Sequence, residues 1–264
     1  GQDSGIVKLW NTETHEASSL KVSDSPVDFI AMSPDARSLL TGSRFRALRW
    51  WDVRNGTNQV LESEARRVLF SPEGHTLAAF ARDNAIEFWD VATRTLRTNA
   101  VSEVRPGFAA EFSADGRVLA VVSSDDVVRL WDVATAQLLG TCAGHKQAVF
   151  AATFCPDGRT LATASEDSTL KLWNVATQQE LLTIRRLGGT LRSLMFSPDG
   201  RLLVGASGLV RRAEGLRLYR APLLSEIDQA ASSKPTESAS GPAERFPEQE
   251  PPPRFRDRRR GRDE

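Results

Sequence analysis

The chain has 264 residues, of which 40% are hydrophobic and 26% are charged, and its formal net charge is zero. These proportions are ordinary for a globular protein, and the neutral balance excludes a global attraction to nucleic acid or to an anionic membrane. No run approaches the roughly 18 consecutive apolar residues of a membrane span, and two cysteines are too few for a disulfide framework. The predicted location is therefore the cytoplasm, with no contact to a membrane.

The N-terminal residues correspond to the second half of a repeated unit. Ile6 to Trp10 matches the third strand of the units that follow, and Ser18 to Val22 matches the fourth. The sequence contains nothing before them that could supply the first two strands. We therefore expect the chain to be the C-terminal portion of a longer protein.

Further copies of this unit follow, and the clearest stretch runs from Gly144 to Asn174. Its three apolar runs, Ala148 to Cys155, Thr160 to Ser165 and Thr169 to Trp173, are separated by turn residues. Each run is too short for a helix, and side-chain character alternates along it, which is typical of antiparallel strands. The half unit covers residues 1–22, and the others cover 26–64, 65–103, 106–143, 147–186 and 190–227.

An aromatic residue closes the third strand of every unit and recurs at intervals of 38 to 46 residues. A turn of the Ser-Pro-Asp-Gly type follows the first strand in phase with it, because proline fixes φ and glycine supplies a positive φ where the chain reverses. A period near 40 residues with several strands per unit indicates a propeller blade. The closing aromatics are Trp10, Trp51, Trp89, Trp131, Trp173 and Tyr219.

Together these residues resemble the WD-repeat β-propeller family, most closely its bacterial members. Five Trp-Asp or Trp-Asn pairs stand in phase with the turns, and the resemblance covers residues 1 to about 220. It implies an all-β propeller of four-stranded antiparallel blades, incomplete at the N-terminus. It also implies a non-enzymatic scaffold that presents variable loops to a protein or peptide partner. The second members of the pairs are Asn11, Asp52, Asp90, Asp132 and Asn174.

The resemblance further implies a buried hydrogen-bonded tetrad within a blade. Its members are a histidine before the first strand, a Ser or Thr of the second strand, an Asp of the next turn and the closing Trp. One unit supplies all four, as His145, Ser165, Asp167 and Trp173. A Ser, a His and an Asp also suggest a hydrolase, but a nucleophile needs exposure and an oxyanion hole. Because Ser165 lies on a central strand, we expect a structural role and no catalytic site.

The other units lack part of this tetrad. Ser43 has no aspartate after it because Phe45 takes that position, and Asp83 has Ala81 where the serine would be. We therefore expect several blades to be held by apolar packing. Ser123 and Asp125 occupy the strand and turn positions of their unit without the histidine.

No cofactor or metal site is predicted. The three histidines, His15, His75 and His145, are scattered without a Cys, His or carboxylate at ligand spacing. The sequence also has no glycine-rich phosphate loop, since its recurrent Asp-Gly-Arg belongs to turns.

The resemblance places the loops before the first strand and after the second on one face, which is the expected partner-binding face. Basic residues are in modest excess there, so a basic binding patch for an acidic partner and an ordinary mixed charged rim both remain open. The candidate residues are Arg44, Arg46, Arg66, Arg67, Arg105, Lys146, Arg185, Arg186, Arg192, Arg211 and Arg212.

Residues 228–264 differ in composition from the repeats. They are rich in Pro, Ser, Glu and Arg, so they bury too little apolar surface to offset ordering and are expected to be disordered. Six arginines against three acids in residues 254–264 favour a solvated tail or a weak docking segment for an acidic partner or RNA. An alternative function for the whole chain is a regulatory or sensory module whose upstream part is a kinase or protease.

Overall fold

The part of the chain that the structure describes folds into six consecutive antiparallel sheets, each built from strands that are neighbours in sequence. The computed structural model describes residues 5–24, 26–43, 46–102, 105–185, 187, 190–207 and 216–220. Within these ranges the regular elements are all β-strands, and none is a helix that could cross a membrane.

The sheets are called blades 1 to 6 in chain order. Blade 1 pairs β1 (Ile6–Trp10) with β2 (Ala17–Lys21). Blade 2 contains β3 (Phe29–Met32), β4 (Ser38–Ser43), β5 (Arg46–Asp52) and β6 (Asn58–Leu61). Blade 3 contains β7 (Arg67–Phe70), β8 (Thr76–Phe80), β9 (Ala85–Asp90) and β10 (Thr95–Val101).

The remaining blades follow the same order. Blade 4 contains β11 (Pro106–Phe112), β12 (Val118–Ser123), β13 (Val128–Asp132) and β14 (Leu138–Cys142). Blade 5 contains β15 (Val149–Phe154), β16 (Thr160–Ser165), β17 (Leu170–Asn174) and β18 (Glu180–Ile184). Blade 6 has three described strands, β19 (Leu191–Phe196), β20 (Leu202–Ser207) and β21 (Leu216–Arg220).

The predicted all-β architecture of four-stranded antiparallel blades is confirmed by blades 2 to 5. The first predicted strand agrees with β1, and the second is displaced by one residue in β2. The expected disordered tail, 228–264, lies outside the described residues.

The hydrophobic core lies between blades. Leu130 of blade 4 packs in one cluster with Phe154 and Trp173 of blade 5, and Trp50 of blade 2 contacts Phe70 of blade 3 edge to face at 5.9 Å. Burying one Trp side chain contributes about 5 kcal/mol before entropy is counted. In β8, β12 and β16, the second strands of blades 3, 4 and 5, buried residues follow one another almost without a break, because both faces of the strand are covered. The blades therefore brace one another.

The Trp-Asp pairs stabilise the turns between third and fourth strands. In blade 4, Asp132 Oδ1 accepts hydrogen bonds from the amide and hydroxyl of Thr135, at 2.7 and 2.8 Å. Asn174 makes the same contact to the amides of Ala176 and Thr177 in blade 5. This is the Asx-turn chemistry that lets the chain reverse tightly.

The order of strands divides the loops between two edges of the fold. The edge with the turns after first and third strands is called the turn rim, and it includes 33–37, 113–117, 155–159 and 197–201. The other edge, called the loop rim, carries the loops between blades and those after second strands. It includes 62–66, 81–84, 124–127, 143–148 and 166–169.

Candidate functional site

A buried polar network braces blade 5 near the loop rim. His145 Nδ1 lies 3.1 Å from Asp167 Oδ2, and its Nε2 lies 2.7 Å from Thr163 Oγ1. Trp173 Nε1 donates to the same hydroxyl at 2.8 Å. Three of the four residues assigned from the sequence, His145, Asp167 and Trp173, are thus brought together.

The assignment of Ser165 as the hydroxyl of the tetrad is wrong. Thr163 takes that role because Trp173 pairs with Leu161, which places the indole beside the residue two positions further along β16. Ser165 lies on the same side of the strand as Thr163 but two residues further from the pairing of Leu161 with Trp173. Its Oγ instead donates to the carbonyl of Gln147 at 2.8 Å and accepts the amide of Asp167 at 3.1 Å.

Asp167 is the most heavily hydrogen-bonded side chain of the network. Its carboxylate accepts the amide of Lys146 at 2.9 Å and both the amide and hydroxyl of Thr169, at 2.9 and 2.6 Å. Burial opposes ionisation, but these bonds and His145 outweigh it and lower the pKa of Asp167 to about 2. Burial also lowers the pKa of His145, although Asp167 opposes that shift.

In these contacts the serine, histidine and aspartate are not arranged as a catalytic triad. Ser165 is 0% exposed, and its hydroxyl hydrogen is donated to a backbone carbonyl. The ring nitrogens of His145 are hydrogen-bonded to Thr163 and Asp167, and among the described atoms neither bonds to Ser165. The described atoms therefore show no base positioned on an exposed nucleophile.

The position of Thr163 distinguishes the blades. Blade 2 has Thr41 there, whose hydroxyl accepts from Trp51 Nε1 at 2.9 Å. In blade 3 the equivalent residue is Ala79, and Trp89 Nε1 donates to Glu87 at 3.0 Å.

Blade 4 has Val121 at this position. The indole nitrogen of Trp131 is buried and has no hydrogen-bond partner among the described atoms. Because Val121 has no hydroxyl, blade 4 lacks the acceptor at this position but keeps the indole donor of Trp131.

The serines assigned to tetrads in blades 2 and 4 are also corrected. Ser43 Oγ donates to the carbonyl of Pro26 at 2.6 Å, which repeats the contact of Ser165 with Gln147. Ser123 occupies the same position in blade 4 and is 3% exposed, but its Oγ has no partner in the described part of the chain. Ser43 and Ser165 thus tie the second strand to the loop before the first, while the closing Trp of blade 2 and that of blade 5 each donate to a threonine instead.

A cavity of about 500 Å³ opens at the loop rim between blades 3, 4 and 5, and it is called the rim cavity. It brings together three of the predicted binding residues, Arg66, Arg67 and Arg105. It also includes residues that were not predicted from the sequence to bind a partner. These are Phe80, Ala81, Arg82, Asn84, Gly107, Val122, Ser123, Ser124, Asp126, Ala148, Val149 and Phe150.

Two arginines at the rim cavity contact neighbouring groups. The guanidinium of Arg67 is centred 6.0 Å from the ring of Phe80, and its Nη2 donates to the carbonyl of Ala110 at 3.4 Å. Burial lowers the pKa of Arg67. Arg82 forms an ion pair with Glu64 at 3.7 Å.

Three further predicted residues lie elsewhere on the described loop rim. The side chain of Lys146 is exposed, while its amide belongs to the network of blade 5. Arg185 is exposed directly after β18. Arg192 places its guanidinium 4.2 Å from the centre of the Phe150 ring and thus borders the rim cavity.

The other predicted residues add nothing to the site as described. Arg46 begins β5 and does not lie in a loop. Arg44, Arg186, Arg211 and Arg212 lie outside the described residues.

Arg82 could have been found from the sequence, because it belongs to the short turn between β8 and β9. Phe80 and Phe150 could not, because each is an ordinary apolar strand residue until three blades are packed together.

The cysteines and histidines suggest no further chemistry. Cys142 and Cys155 are both buried and unpaired, and burial raises their pKa values to about 12 and about 11. Among the described residues, no three Cys, His, Asp or Glu side chains are grouped to hold a metal ion.

Comparison with known proteins supports the assignment of the repeats. A family model described as WD domain, G-beta repeat matches residues 93–132 and 136–174. No curated protein matches the sequence. A chain from a crystal structure of a mitotic checkpoint complex is similar with a TM-score of 0.71 and 23% identity, over 83% of this chain and 68% of that one. At this identity the likeness shows the fold alone. The chain therefore contains two stretches similar to WD repeats, and it shares its fold with that chain over most of its length.

Proposed function

We propose that the chain is a non-enzymatic scaffold that binds a protein or peptide partner at its loop rim. The observation that carries this proposal is the rim cavity, whose lining combines four arginines with Phe80, Phe150 and other apolar residues. Arginine and aromatic residues are enriched at protein interfaces, where they act as anchors. The packed cores between blades hold these side chains on a rigid support.

The charge of the rim cavity favours an acidic partner. Four arginines line it, Arg66, Arg67, Arg82 and Arg105, against one acidic residue, Asp126. A positive patch attracts an acidic surface and orients it during encounter. A protein partner also agrees with the similar fold found in a protein assembly, the mitotic checkpoint complex.

We also propose that the chain acts in the cytoplasm. Both of its cysteines are buried as free thiols, which suits a reducing compartment.

A charge-reversal experiment tests the scaffold. One variant carries Glu in place of Arg66, Arg105, Arg185 and Arg192, which are exposed on or beside the loop rim. Its matched control carries Glu in place of Arg37, Arg117, Arg159 and Arg201, which are exposed on the turn rim. Proteins retained from a lysate of the source organism are quantified by mass spectrometry.

We expect the loop-rim variant to lose the partners that wild type and the turn-rim control retain. Both variants should keep the wild-type unfolding midpoint, because exposed charges contribute little to stability. Retention of the same partners by the loop-rim variant would contradict the proposal.

A further inference from the structure

We infer that the rim cavity recognises a peptide in which an acidic residue stands next to an apolar one, with the hydroxyl of Ser123 as a polar anchor. This inference rests on the proposed scaffold function and names the chemistry of its partner. Three features of the cavity support it: an unpaired buried hydroxyl, an apolar floor and an excess of arginine.

Ser123 differs from its counterparts in blades 2 and 5. Ser43 and Ser165 each donate to a backbone carbonyl of the preceding loop, at 2.6 and 2.8 Å. In blade 4 the corresponding carbonyl, that of Arg105, accepts the amide of Ser124 at 3.0 Å. The Ser123 hydroxyl is buried and has no partner among the described atoms, and Ser123 is one of the residues that line the cavity.

An unpaired buried hydroxyl is costly, and a ligand that completes its hydrogen bond removes that cost. A carboxylate oxygen or a peptide carbonyl of the partner can accept from Ser123 Oγ. The hydroxyl thus gives the cavity a directional contact that an apolar floor alone cannot supply.

The floor of the cavity is suited to one apolar side chain. Val122, Val149 and Phe80 line it, and each of them is almost fully buried. A volume of about 500 Å³ lies within the range of pockets that enclose a small ligand. A leucine or phenylalanine of a peptide can therefore enter, while its neighbours stay near the rim.

The arginines select an acidic neighbour for that apolar side chain. Arg66 and Arg105 are exposed at the cavity, whereas Arg67 is half buried and loses hydration. A carboxylate placed among them gains charge-assisted hydrogen bonds, which are stronger than neutral ones.

A peptide is favoured over single-stranded RNA as the source of the anionic group. RNA-binding sites of this kind stack bases on exposed aromatic rings. At the rim cavity, the guanidinium of Arg192 lies 4.2 Å from the centre of the Phe150 ring. This face of the ring is already covered, so a base would have to displace the arginine.

Fluorescence anisotropy with labelled probes tests the inference. The first probe is an octapeptide of alternating glutamate and leucine. Its controls are an octapeptide of alternating glutamine and leucine, one of alternating glutamate and serine, and a 12-nucleotide oligouridine. Each is titrated with the full chain, with Ser123→Ala and with Ser19→Ala, a control serine exposed on β2.

We expect the glutamate-leucine peptide to bind at least tenfold more tightly than either control peptide. Ser123→Ala should weaken it about fivefold, whereas Ser19→Ala should not. The unfolding midpoint of Ser123→Ala should equal or exceed that of wild type, because the removed hydroxyl had no partner. A fall in this midpoint would show an internal structural role and overturn the assignment.

Three other outcomes would also overturn the inference: equal affinity for the glutamine-leucine peptide, unchanged affinity of Ser123→Ala, or tighter binding of oligouridine. The scaffold proposal is tested separately, by the charge-reversal experiment. If the charge-reversed loop rim loses its protein partners while the peptides fail to bind, only the chemistry assigned to the cavity is wrong.

Discussion

Blades 4 and 5 have the same strand order and nearly the same register but different buried polar chemistry. Thr163 pairs with Lys171 in blade 5, and Val121 pairs with Arg129 in blade 4. The threonine accepts from the closing Trp, whereas Trp131, the closing residue of blade 4, has no partner among the described atoms. The fold therefore does not depend on the complete network.

The aspartate after the second strand shows how the two blades diverge. In blade 5, Asp167 accepts from two backbone amides and contacts His145. In blade 4 its counterpart, Asp125, receives two bonds from the guanidinium of Arg129, at 2.9 and 2.8 Å. The carboxylates at equivalent positions thus belong to a buried network in blade 5 and to a partly exposed ion pair in blade 4.

The two blades also differ in how the hydroxyls of their second strands are used. Blade 5, in which the hydroxyls of Ser165 and Thr163 are both hydrogen-bonded, gains local stability because these buried polar groups are satisfied. The neighbouring blade leaves Ser123 Oγ unpaired, and Ser123 is among the residues that line the rim cavity. Blade 4, which lacks the complete tetrad, is thus also a blade that contributes residues to the candidate binding site.

The largest expected effect is that of Asp167→Ala. It leaves the amides of Lys146 and Thr169 without their acceptor in a partly buried site, at a cost of about 2–4 kcal/mol. Asp83→Ala is the matched change in blade 3, where the described contact is one bond from the amide of Ala85, and it should cost about 1 kcal/mol or less. Urea unfolding followed by Trp fluorescence measures both, and equal midpoints would refute this order.

A reciprocal exchange between the blades should give smaller effects of opposite sign. Thr163→Val removes the acceptor of Trp173 Nε1 and should destabilise the chain by about 2 kcal/mol. Val121→Thr offers Trp131 Nε1 an acceptor with little change in volume and should stabilise it by about 1 kcal/mol.

The exchange is measured by the same urea titration. If Val121→Thr destabilises the chain as much as Thr163→Val does, the threonine position is not an acceptor site in blade 4 and the comparison of the blades fails there.

Local sequence signals predicted the blades because their causes are local. The turn after the first strand needs a positive φ, which Gly116 and Gly158 adopt at 69° and 68°. The Trp-Asp pairs likewise act through hydrogen bonds that span only three residues, such as Asp132 to Thr135. The residues within each repeat are therefore enough to predict its strands and turns.

The hydroxyl of the tetrad and the rim cavity required information that the sequence does not contain. Thr163 and Ser165 lie on the same face of β16, so alternation cannot decide which one the indole reaches; the pairing of Trp173 with Leu161 decides it. The cavity depends on the packing of three blades, which brings Arg82 and Phe150 together from distant parts of the chain.

The smallest expected effect is a pH dependence carried by blade 5 through His145. Because burial lowers its pKa below the ordinary value of 6.5, the fold favours the neutral imidazole. The unfolded chain then binds the extra proton, so stability is complete above pH about 6.5 and falls as pH is lowered towards the folded pKa. Asp167 does not contribute in this window, since its pKa is about 2.

His145→Gln should remove this part of the pH dependence between pH 7.5 and 5.5, while His75→Gln, an exposed control on the turn rim, should retain it. The free energy of unfolding is measured at several pH values for both variants and wild type. Identical slopes for wild type and His145→Gln would mean that protonation of this histidine is not coupled to folding. The stability of the network would then depend on its hydrogen bonds alone, and blades 4 and 5 would differ in strength but not in their response to pH.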